Sequence, residues 1–153
     1  MQPNAEAIGL IALLQRVHQA SVTVDNDCIA RIDQGILALI GVQPDDDDAL
    51  LRHFVSRILN YRMFSDVQGK MNLSLVDCEG GLLLVPQFTL AANTRKGRRP
   101  SFTSAATPRH GEAIFDAMVN VARSSYATVE CGQFGADMQV QLINDGPVTF
   151  ILD

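Results

Sequence analysis

The sequence predicts one α+β domain: a curled mixed or antiparallel β-sheet that tends towards a barrel, with two helices packed outside it. Two observations lead to this prediction. Short apolar runs separated by turn residues recur along the chain, whereas only two stretches have the apolar spacing of a helix. These strands and helices do not alternate as βαβ units do. A length of 153 residues suits a single domain, which we expect to span residues 10–153 after a loose extension of residues 1–9.

Several strands are expected in the first third of the chain. Leu10–Val17 and Ala20–Val24 are apolar enough to form two of them, and the turn residues Asp25-Asn26-Asp27 lead back into a third strand, Cys28–Ile32. The unbroken apolar run Ile36–Val42 predicts a strand that is buried on both faces.

Each of the two helices has a recognisable N-terminus. The run Asp45–Asp48 precedes the first helix, because Asp is a preferred N-cap and suits the positive end of a helix dipole. We prefer this interpretation to a metal site, since the sequence offers no matching group of ligands. Thr107 and Pro108 begin the second helix as N-cap and first helical residue. The apolar stripes are Leu50, Leu51, Phe54, Val55, Ile58 and Leu59 in the first helix, and Ile114, Ala117, Met118 and Val121 in the second.

The remaining strands are expected in the second half of the chain. Leu82–Val85 is a short buried strand after a Gly-Gly break. Ala127–Cys131, Met138–Ile143 and Val148–Leu152 close the chain, and the turn residues Asn144–Pro147 separate the last two.

Composition limits the class of protein. The formal net charge of −5 argues against an extended nucleic-acid surface, but not against binding of a nucleic-acid terminus alone. The basic cluster Arg95–Arg99 is either a solvated loop or a phosphate contact beside an active site. No stretch is apolar enough to span a bilayer, and the N-terminus lacks the basic region of a signal peptide, so we expect a cytoplasmic protein. The three widely spaced cysteines predict buried thiols rather than a disulfide framework or a zinc site.

Standard catalytic motifs are absent from the sequence, and two loops remain as candidates for chemistry. The three histidines have no companions at metal-ligand spacing, and they do not support a Ser-His-Asp triad. Gln87-Phe88-Thr89 follows a buried strand, where a hydroxyl beside an amide is suited to a functional site; a polar strand end is the simpler alternative. Gly146-Pro147 is either an ordinary turn or a cis peptide, and the residues alone leave this open.

Taken in order, several motifs resemble the D-aminoacyl-tRNA deacylase family. The most specific are Gln87-Phe88-Thr89-Leu90-Ala91-Ala92 and Asn144-Asp145-Gly146-Pro147-Val148-Thr149. Less specific matches are Leu13-Leu14-Gln15-Arg16-Val17, Ala20-Ser21-Val22, Gly69-Lys70-Met71-Asn72-Leu73, Arg99-Pro100-Ser101-Phe102 and Phe134-Gly135-Ala136-Asp137-Met138. The matches extend from about Leu10 to the end of the sequence.

The resemblance implies a homodimer of barrel-like subunits with active sites at the interface, and neither a cofactor nor a metal. It implies that a cis Gly146–Pro147 peptide reaches into the site of the other subunit. There its carbonyls would hold the substrate amino group and exclude an L side chain, and glycyl-tRNA would be hard to reject. Arg16 matches an arginine that braces this element; the alternative is a strand-end charge facing solvent. Phe134 and Met138 belong to the segment implied to bind substrate.

The same resemblance assigns catalysis to Gln87, Phe88 and Thr89. The amides of Phe88 and Thr89 match donors to a developing oxyanion, assisted by the ribose 2′-hydroxyl of the RNA. The alternative is the Thr89 hydroxyl as nucleophile, for which the sequence supplies no base. The family usually has Ser where this chain has Pro86, a departure that bears on rate or specificity. The alternative functions are a non-catalytic tRNA-end binder of the same fold and a dimeric scaffold without a nucleic-acid role.

Overall fold

The computed structural model describes residues 10–44, 46–103 and 105–153, which form a mixed sheet with packed helices. The strands are β1 (Ile11–Val24), β2 (Asp27–Ile32), β3 (Gly35–Gly41), β4 (Phe64–Ser65), β5 (Met71–Leu73), β6 (Gly81–Pro86), β7 (Val129–Cys131) and β8 (Gln139–Leu152). The helices are α1 (Asp48–Asn60), α2 (Leu75–Cys78) and α3 (Pro108–Ser125), with a 3₁₀ turn at Phe88–Ala91. The α+β prediction is confirmed; α2 was not predicted, because four residues are too few to show helical periodicity. The predicted extension of residues 1–9 lies outside the described residues.

β1 organises the sheet because it is paired along both edges. β8 runs antiparallel along one edge, while β3 and β2 share the other edge, each beside one half of β1. β6 pairs with β3 and β7 in parallel, so the sheet is mixed. β2 also contacts β6 and β7, which means that the sheet curls back on itself towards a barrel.

The two faces of the curled sheet carry separate cores. β3 and β6 contribute to both, which confirms the prediction of a strand buried on both faces at Ile36–Val42. The outer cluster includes Ile36, Ala38, Ile40, Leu82 and Leu84, which pack with the apolar stripes of α1 and α3. The inner cluster includes Leu37, Leu83 and Val85, which pack with Val17 and Val22 of β1. Successive side chains of β3 and of β6 therefore point alternately to the outer core, against the helices, and to the inner core.

Both predicted helix starts are confirmed by their cap geometry. Asp47 is the N-cap of α1, and its Oδ1 accepts a hydrogen bond from the Leu50 amide at 2.9 Å. Thr107 is the N-cap of α3, and its hydroxyl accepts from the His110 amide at 3.3 Å. Of the four consecutive aspartates, Asp45 lies outside the described residues. No helix in the described part of the chain is long and apolar enough to cross a membrane.

Two predicted strand breaks are wrong. β1 is one strand rather than two, because Val17 and Gln19 pair with Asn144 and Ile143 of β8 on either side of the exposed His18. The segment Asn144–Pro147 is not a turn between two strands. It lies within β8, and the pairs on either side of it both run antiparallel to β1.

The prediction of three buried cysteines is also wrong. Cys28 is exposed, and Cys78 and Cys131 are half-buried; all three are free thiols. Cys28 is exposed because the beginning of β2 faces solvent, and only Ala30 and Ile32 of this strand reach the inner core.

Candidate active site

An open cavity lies where β6 ends beside the beginning of α3. Its volume is about 440 Å³, which falls within the ~300–1,000 Å³ typical of small-molecule sites. Strand ends, the start of α3 and the segment before β8 form its walls. The lining residues are Ile40, Val42, Val85, Pro86, Gln87, Phe88, Ala106, Thr107, Pro108, Gly111, Phe115, Phe134, Gly135, Ala136, Met138 and Val140.

The cavity lining contains no ionisable side chain among the described residues. Its polar side chains are Gln87 and Thr107, and the Thr107 hydroxyl already caps α3. Across residues 10–44, 46–103 and 105–153, no group of three or more His, Cys, Asp or Glu side chains is arranged to hold a metal ion. The groups available for catalysis in this cavity are therefore main-chain amides and carbonyls, together with the functional groups of the ligand.

Two main-chain amides next to the cavity have no hydrogen-bond acceptor among the described residues. The Gln87 amide still donates to the Ile40 carbonyl at 2.8 Å, which extends the pairing of β6 with β3. The 3₁₀ turn begins at Phe88, and the first amides of such a turn have no partner within it. Neither Phe88 nor Thr89 donates to any other described residue. The first amide of the turn that donates a hydrogen bond within it is that of Leu90, which donates to the Gln87 carbonyl at 3.1 Å.

The Thr89 side chain is held by an amide rather than by a base. Gln87 Nε2 donates to Thr89 Oγ1. Thr89 is exposed, and it does not line the cavity. No described histidine or carboxylate forms a hydrogen bond with its hydroxyl. This arrangement favours the Phe88 and Thr89 amides as hydrogen-bond donors to a ligand, rather than the Thr89 hydroxyl as a nucleophile.

Pro86 is accommodated because it is the last residue of β6. The Leu82 amide donates to Thr128 on the β7 side of the strand, and the Gln87 amide donates to β3. By the alternation of a strand, the nitrogen of residue 86 points to the β7 side, where β7 has ended at Cys131. On that side the Gly132 amide still donates to the Leu84 carbonyl at 2.8 Å, and the proline, which has no N–H, ends the ladder there. Pro86 instead adds an apolar ring to the cavity wall.

Phe134 and Met138 form another part of the cavity wall. The Phe134 ring lies against Gly111 of α3, where an added Cβ would approach its Cζ to 3.2 Å. The Met138 sulfur accepts from the Gln133 amide at 3.4 Å. These two residues, predicted as substrate-binding, line the same cavity as Gln87 and Phe88.

The Gly146–Pro147 element lies elsewhere, in a bulge of β8. Gln15 pairs with Thr149 and Val17 pairs with Asn144, so Arg16 alone faces residues 145–148. The Gly146–Pro147 peptide is cis, as the resemblance implied. Gly146 has φ +135°, and an added Cβ would lie 2.7 Å from Val148 Cγ2. Only glycine suits this position.

Arg16 holds this bulge from inside the protein and is not a solvent-facing charge. Its side chain is only 11% exposed. Its Nη1 donates to the Met63 carbonyl at 2.9 Å, and its Nε donates to the Asp145 carbonyl at 3.1 Å. The carboxylate of Asp145 lies 3.3 Å from the same Nε. Asn144 Oδ1 closes the bulge by accepting from the Val148 amide at 3.1 Å.

The bulge and the cavity are separated within one chain. Val140 lines the cavity, whereas Gly146, Pro147 and Arg16 do not. Gly146 follows Val140 by six positions of extended strand, a distance of about 20 Å at ~3.3 Å per residue. The structure thus brings together four of the predicted site residues, Gln87, Phe88, Phe134 and Met138, and places Thr89 at their edge.

The contribution of α3 to the cavity was not predicted. Pro108, Gly111 and Phe115 form one of its walls, so that the first turns of α3 border the cavity. The Thr107-Pro108 helix start was recognisable in the sequence. Its position opposite the end of β6 was not, because no local pattern reports how a distant helix packs.

The fold and the cavity define a class: an α+β protein with an apolar cavity and paired amide donors, as in enzymes that stabilise negative charge developing on oxygen. Residues 13–153 match the family model of the D-Tyr-tRNA(Tyr) deacylases. The chain therefore belongs to the D-Tyr-tRNA(Tyr) deacylase family, a family of hydrolases, and the resemblance predicted from its motifs is confirmed.

Relatives and solved structures agree with this placement. D-aminoacyl-tRNA deacylases of Ectopseudomonas mendocina and Alkalilimnicola ehrlichii are each 58% identical, over 141 and 144 residues, which are 92% and 94% of this chain and 97% and 96% of theirs. A structure described as c-Myc DNA Unwinding Element Binding Protein is 39% identical with a TM-score of 0.89, over 94% of this chain and 97% of that one. A probable eukaryotic D-amino acid tRNA deacylase, 22% identical with a TM-score of 0.81 over 94% and 98%, shares the fold.

Proposed function

We propose that this protein hydrolyses the ester bond of D-aminoacyl-tRNA to give free D-amino acid and tRNA, and that glycyl-tRNA is a further substrate. The observation that carries the proposal is the pair of unpartnered amides, Phe88 and Thr89, beside an apolar cavity in a member of this family. When water attacks the ester carbonyl, its oxygen becomes negatively charged. Two oriented N–H donors stabilise that oxyanion.

The substrate supplies the remaining chemistry. Collapse of the tetrahedral intermediate breaks the bond to the ribose oxygen, which takes up a proton as it leaves. No ionisable side chain of the described residues lines the cavity to donate it, and the neighbouring ribose hydroxyl of the RNA is adjacent to the leaving oxygen. The attacking water loses one proton and the leaving ribose oxygen gains one, so we assign the relay of this proton to that hydroxyl, which takes up one proton as it gives up another. Orientation and oxyanion stabilisation are assigned to Gln87, Phe88 and Thr89.

The stereochemical screen belongs to Gly146 and Pro147. Their main-chain carbonyls accept hydrogen bonds from the substrate ammonium group, and the adjacent backbone leaves no room for an L side chain. A main-chain screen reads the configuration at Cα and ignores the identity of the side chain, so many D-amino acids are accepted. Arg16 keeps these carbonyls in place, while Phe134 and Met138 contact the apolar parts of the substrate.

A homodimer delivers this screen to the cavity. β8 pairs only with β1 among the described strands, and its Ile143 and Ile151 side chains are 50% and 65% exposed. Such a long edge strand favours association with another chain. The Gly146–Pro147 bulge is exposed and lies about 20 Å along the strand from the cavity of its own chain. A two-fold partner covers β8 and places each bulge in the other cavity.

The cellular context follows from the substrate. Aminoacyl-tRNA is used by the ribosome, so we place the reaction in the cytoplasm. Residues 10–153 are proposed to act as one catalytic domain in this dimer.

The test is hydrolysis of matched substrates. Purified protein is incubated with D-tyrosyl-tRNA and L-tyrosyl-tRNA in parallel, with a chelator present, and loss of the ester is followed. We expect rapid hydrolysis of the D form only. Hydrolysis of both forms would contradict the Gly146–Pro147 screen. Binding of tRNA without hydrolysis would favour the non-catalytic tRNA-end binder, for which Pro86→Ser is the first variant to examine.

A further inference from the structure

The loop between the 3₁₀ turn and α3 carries a cluster of cations, Arg95, Lys96, Arg98 and Arg99, which we call the basic loop. We propose that the basic loop binds backbone phosphates in the single-stranded 3′ end of the tRNA whose terminal ester occupies the cavity. This inference rests on the proposed function and adds a second contact surface to it.

Charge is strongly segregated along the chain. Residues 80–111 contain five Lys and Arg residues and no Asp or Glu. The whole chain has a formal charge of −5, so the other residues together carry −10. The segment that begins at the cavity is therefore the one with a net positive charge to attract a polyanion, within a chain that is negative as a whole.

The cations of the basic loop are available to bind an anion. All four are exposed, and none forms an ion pair with a described carboxylate. Their position is defined by the backbone below them. Asn93 and Ser101 exchange two main-chain hydrogen bonds of 2.7 and 3.0 Å, and Asn93 Oδ1 accepts from the Arg95 amide at 2.9 Å. The loop thus presents its charges without internal neutralisation.

The basic loop is joined to the active site by two aromatic rings. Phe88 and Phe102 lie with ring centroids 5.3 Å apart, and they are 60% and 42% exposed. Phe88 lines the cavity, and Phe102 directly follows the Asn93–Ser101 closure. A chain that leaves the cavity at this side passes exposed aromatic faces and then reaches the cations.

This combination favours single-stranded RNA over other polyanions. Exposed aromatic rings beside a basic groove allow unstacked bases to stack while the cations follow the phosphates. A duplex keeps its bases stacked and cannot use the rings. The four unpaired bases at the tRNA terminus would use both features, and the ester sits at their end.

The experiment compares two substrates in two matched variants. D-tyrosyl-tRNA contains the phosphates, whereas D-tyrosyl-adenosine has the same ester and no phosphate. Arg98→Gln with Arg99→Gln removes two charges from the basic loop. Arg31→Gln with Arg52→Gln is the control, which removes two exposed charges from β2 and α1. KM and kcat are measured for both substrates at low and moderate salt.

We expect the loop variant to raise KM for D-tyrosyl-tRNA roughly tenfold, with kcat and the hydrolysis of D-tyrosyl-adenosine unchanged. With ~0.7 counterions released per single-strand phosphate, two lost contacts reduce the slope of log KM against log salt by about 1.4. The control variant should leave that slope as it is in the wild type.

Three outcomes decide the matter. An unchanged KM and salt slope in the loop variant, with both substrates hydrolysed, overturns the phosphate contact while the proposed function stands. Equal loss on both substrates also overturns it, because the damage then concerns the cavity. If the wild type hydrolyses neither substrate, the proposed function itself fails.

Discussion

The guanidinium of Arg16 lies 3.1 Å from the carbonyl oxygen of Asp145, at the one place where β8 bulges away from β1. The same side chain reaches the Met63 carbonyl at 2.9 Å. Arg16 therefore ties the Gly146–Pro147 bulge to the segment that follows α1. The proposed stereochemical screen requires that the Gly146 and Pro147 carbonyls stay in place, and Arg16 anchors the residue that precedes them.

Arg16→Gln should lower both stability and stereochemical selectivity. It leaves the Met63 and Asp145 carbonyls without a charged donor, a cost of about 1–3 kcal/mol in the free energy of unfolding. We also expect the ratio of kcat/KM for D- over L-tyrosyl-tRNA to fall. Urea unfolding and parallel hydrolysis assays measure the two effects.

The control for Arg16 is His18→Gln. His18 lies 3.5 Å from the Asp145 carboxylate but is 62% exposed, so its replacement should change stability by less than about 0.5 kcal/mol. If Arg16→Gln lowered stability and left the D/L ratio intact, the arginine would be structural without a part in selectivity.

Mixed dimers test whether the bulge acts in the partner's cavity. Gly146→Ala strains the bulge, because the added Cβ meets Val148, and Ala136→Trp fills the cavity. Each variant alone should lose at least about tenfold in kcat/KM, the effect of ~1.4 kcal/mol. Mixing them should restore about a quarter of wild-type activity, since half of the dimers then contain one intact site. No recovery, in dimers shown to exchange subunits, would place the bulge and the cavity of one chain in the same site.

The amide of Thr89 can be removed without touching its side chain. Replacing Thr89 by its α-hydroxy acid turns the Phe88–Thr89 amide into an ester and deletes one N–H. We expect kcat to fall about 10²-fold, with little loss of stability, because this N–H donates to no residue in the described part of the chain. Thr89→Val is the companion variant and should retain near-full activity. The opposite pattern would identify the hydroxyl as the nucleophile.

Tyr126 anchors the connection between α2 and β6. Its hydroxyl donates to the Gly80 carbonyl and also lies 3.2 Å from the Leu75 carbonyl. Tyr126→Phe should reduce the free energy of unfolding by about 1–2 kcal/mol at neutral pH, without altering kcat. Urea unfolding of the wild type and of the Tyr126→Phe variant measures this difference in the free energy of unfolding.

The same residue predicts a dependence on alkaline pH. Burial raises the pKa of Tyr126 above its usual value, with further contributions from Glu79 and Cys78. A raised folded pKa means that the folded state retains the proton longer. The contribution of Tyr126 is therefore complete below the unfolded pKa of about 10, and it decreases as pH rises through the folded pKa. The Phe variant should lack this alkaline loss, and a parallel loss in both proteins would contradict the assignment.

Much of the fold was predictable because it is encoded locally. Thr107 and Pro108 mark the beginning of α3, Asp47 caps α1, and the apolar run at Ile36–Val42 marks a strand with two buried faces. Each depends on residues within a few positions of one another. The family, too, could be recognised from Gln87-Phe88-Thr89 and the Asn-Asp-Gly-Pro motif.

The predicted strand breaks were wrong where strand pairing overrides the local conformational preference of the residues. His18 interrupts an apolar pattern, yet β1 continues through it because β8 supplies hydrogen bonds on both sides. Asn144–Pro147 has the composition of a hairpin turn, yet the strand passes through it as a bulge facing Arg16.

The α+β class, the helix starts, the buried strands and the family could all be predicted from local patterns in the chain. Only the tertiary structure decided that Gln87, Phe88, Phe134 and Met138 share one cavity, that α3 closes it, and that Gly146 lies about 20 Å away along β8. The reason is physical. Caps and periodicity arise between neighbours in the chain, whereas a cavity and a bulge arise from contacts between residues that are far apart in it.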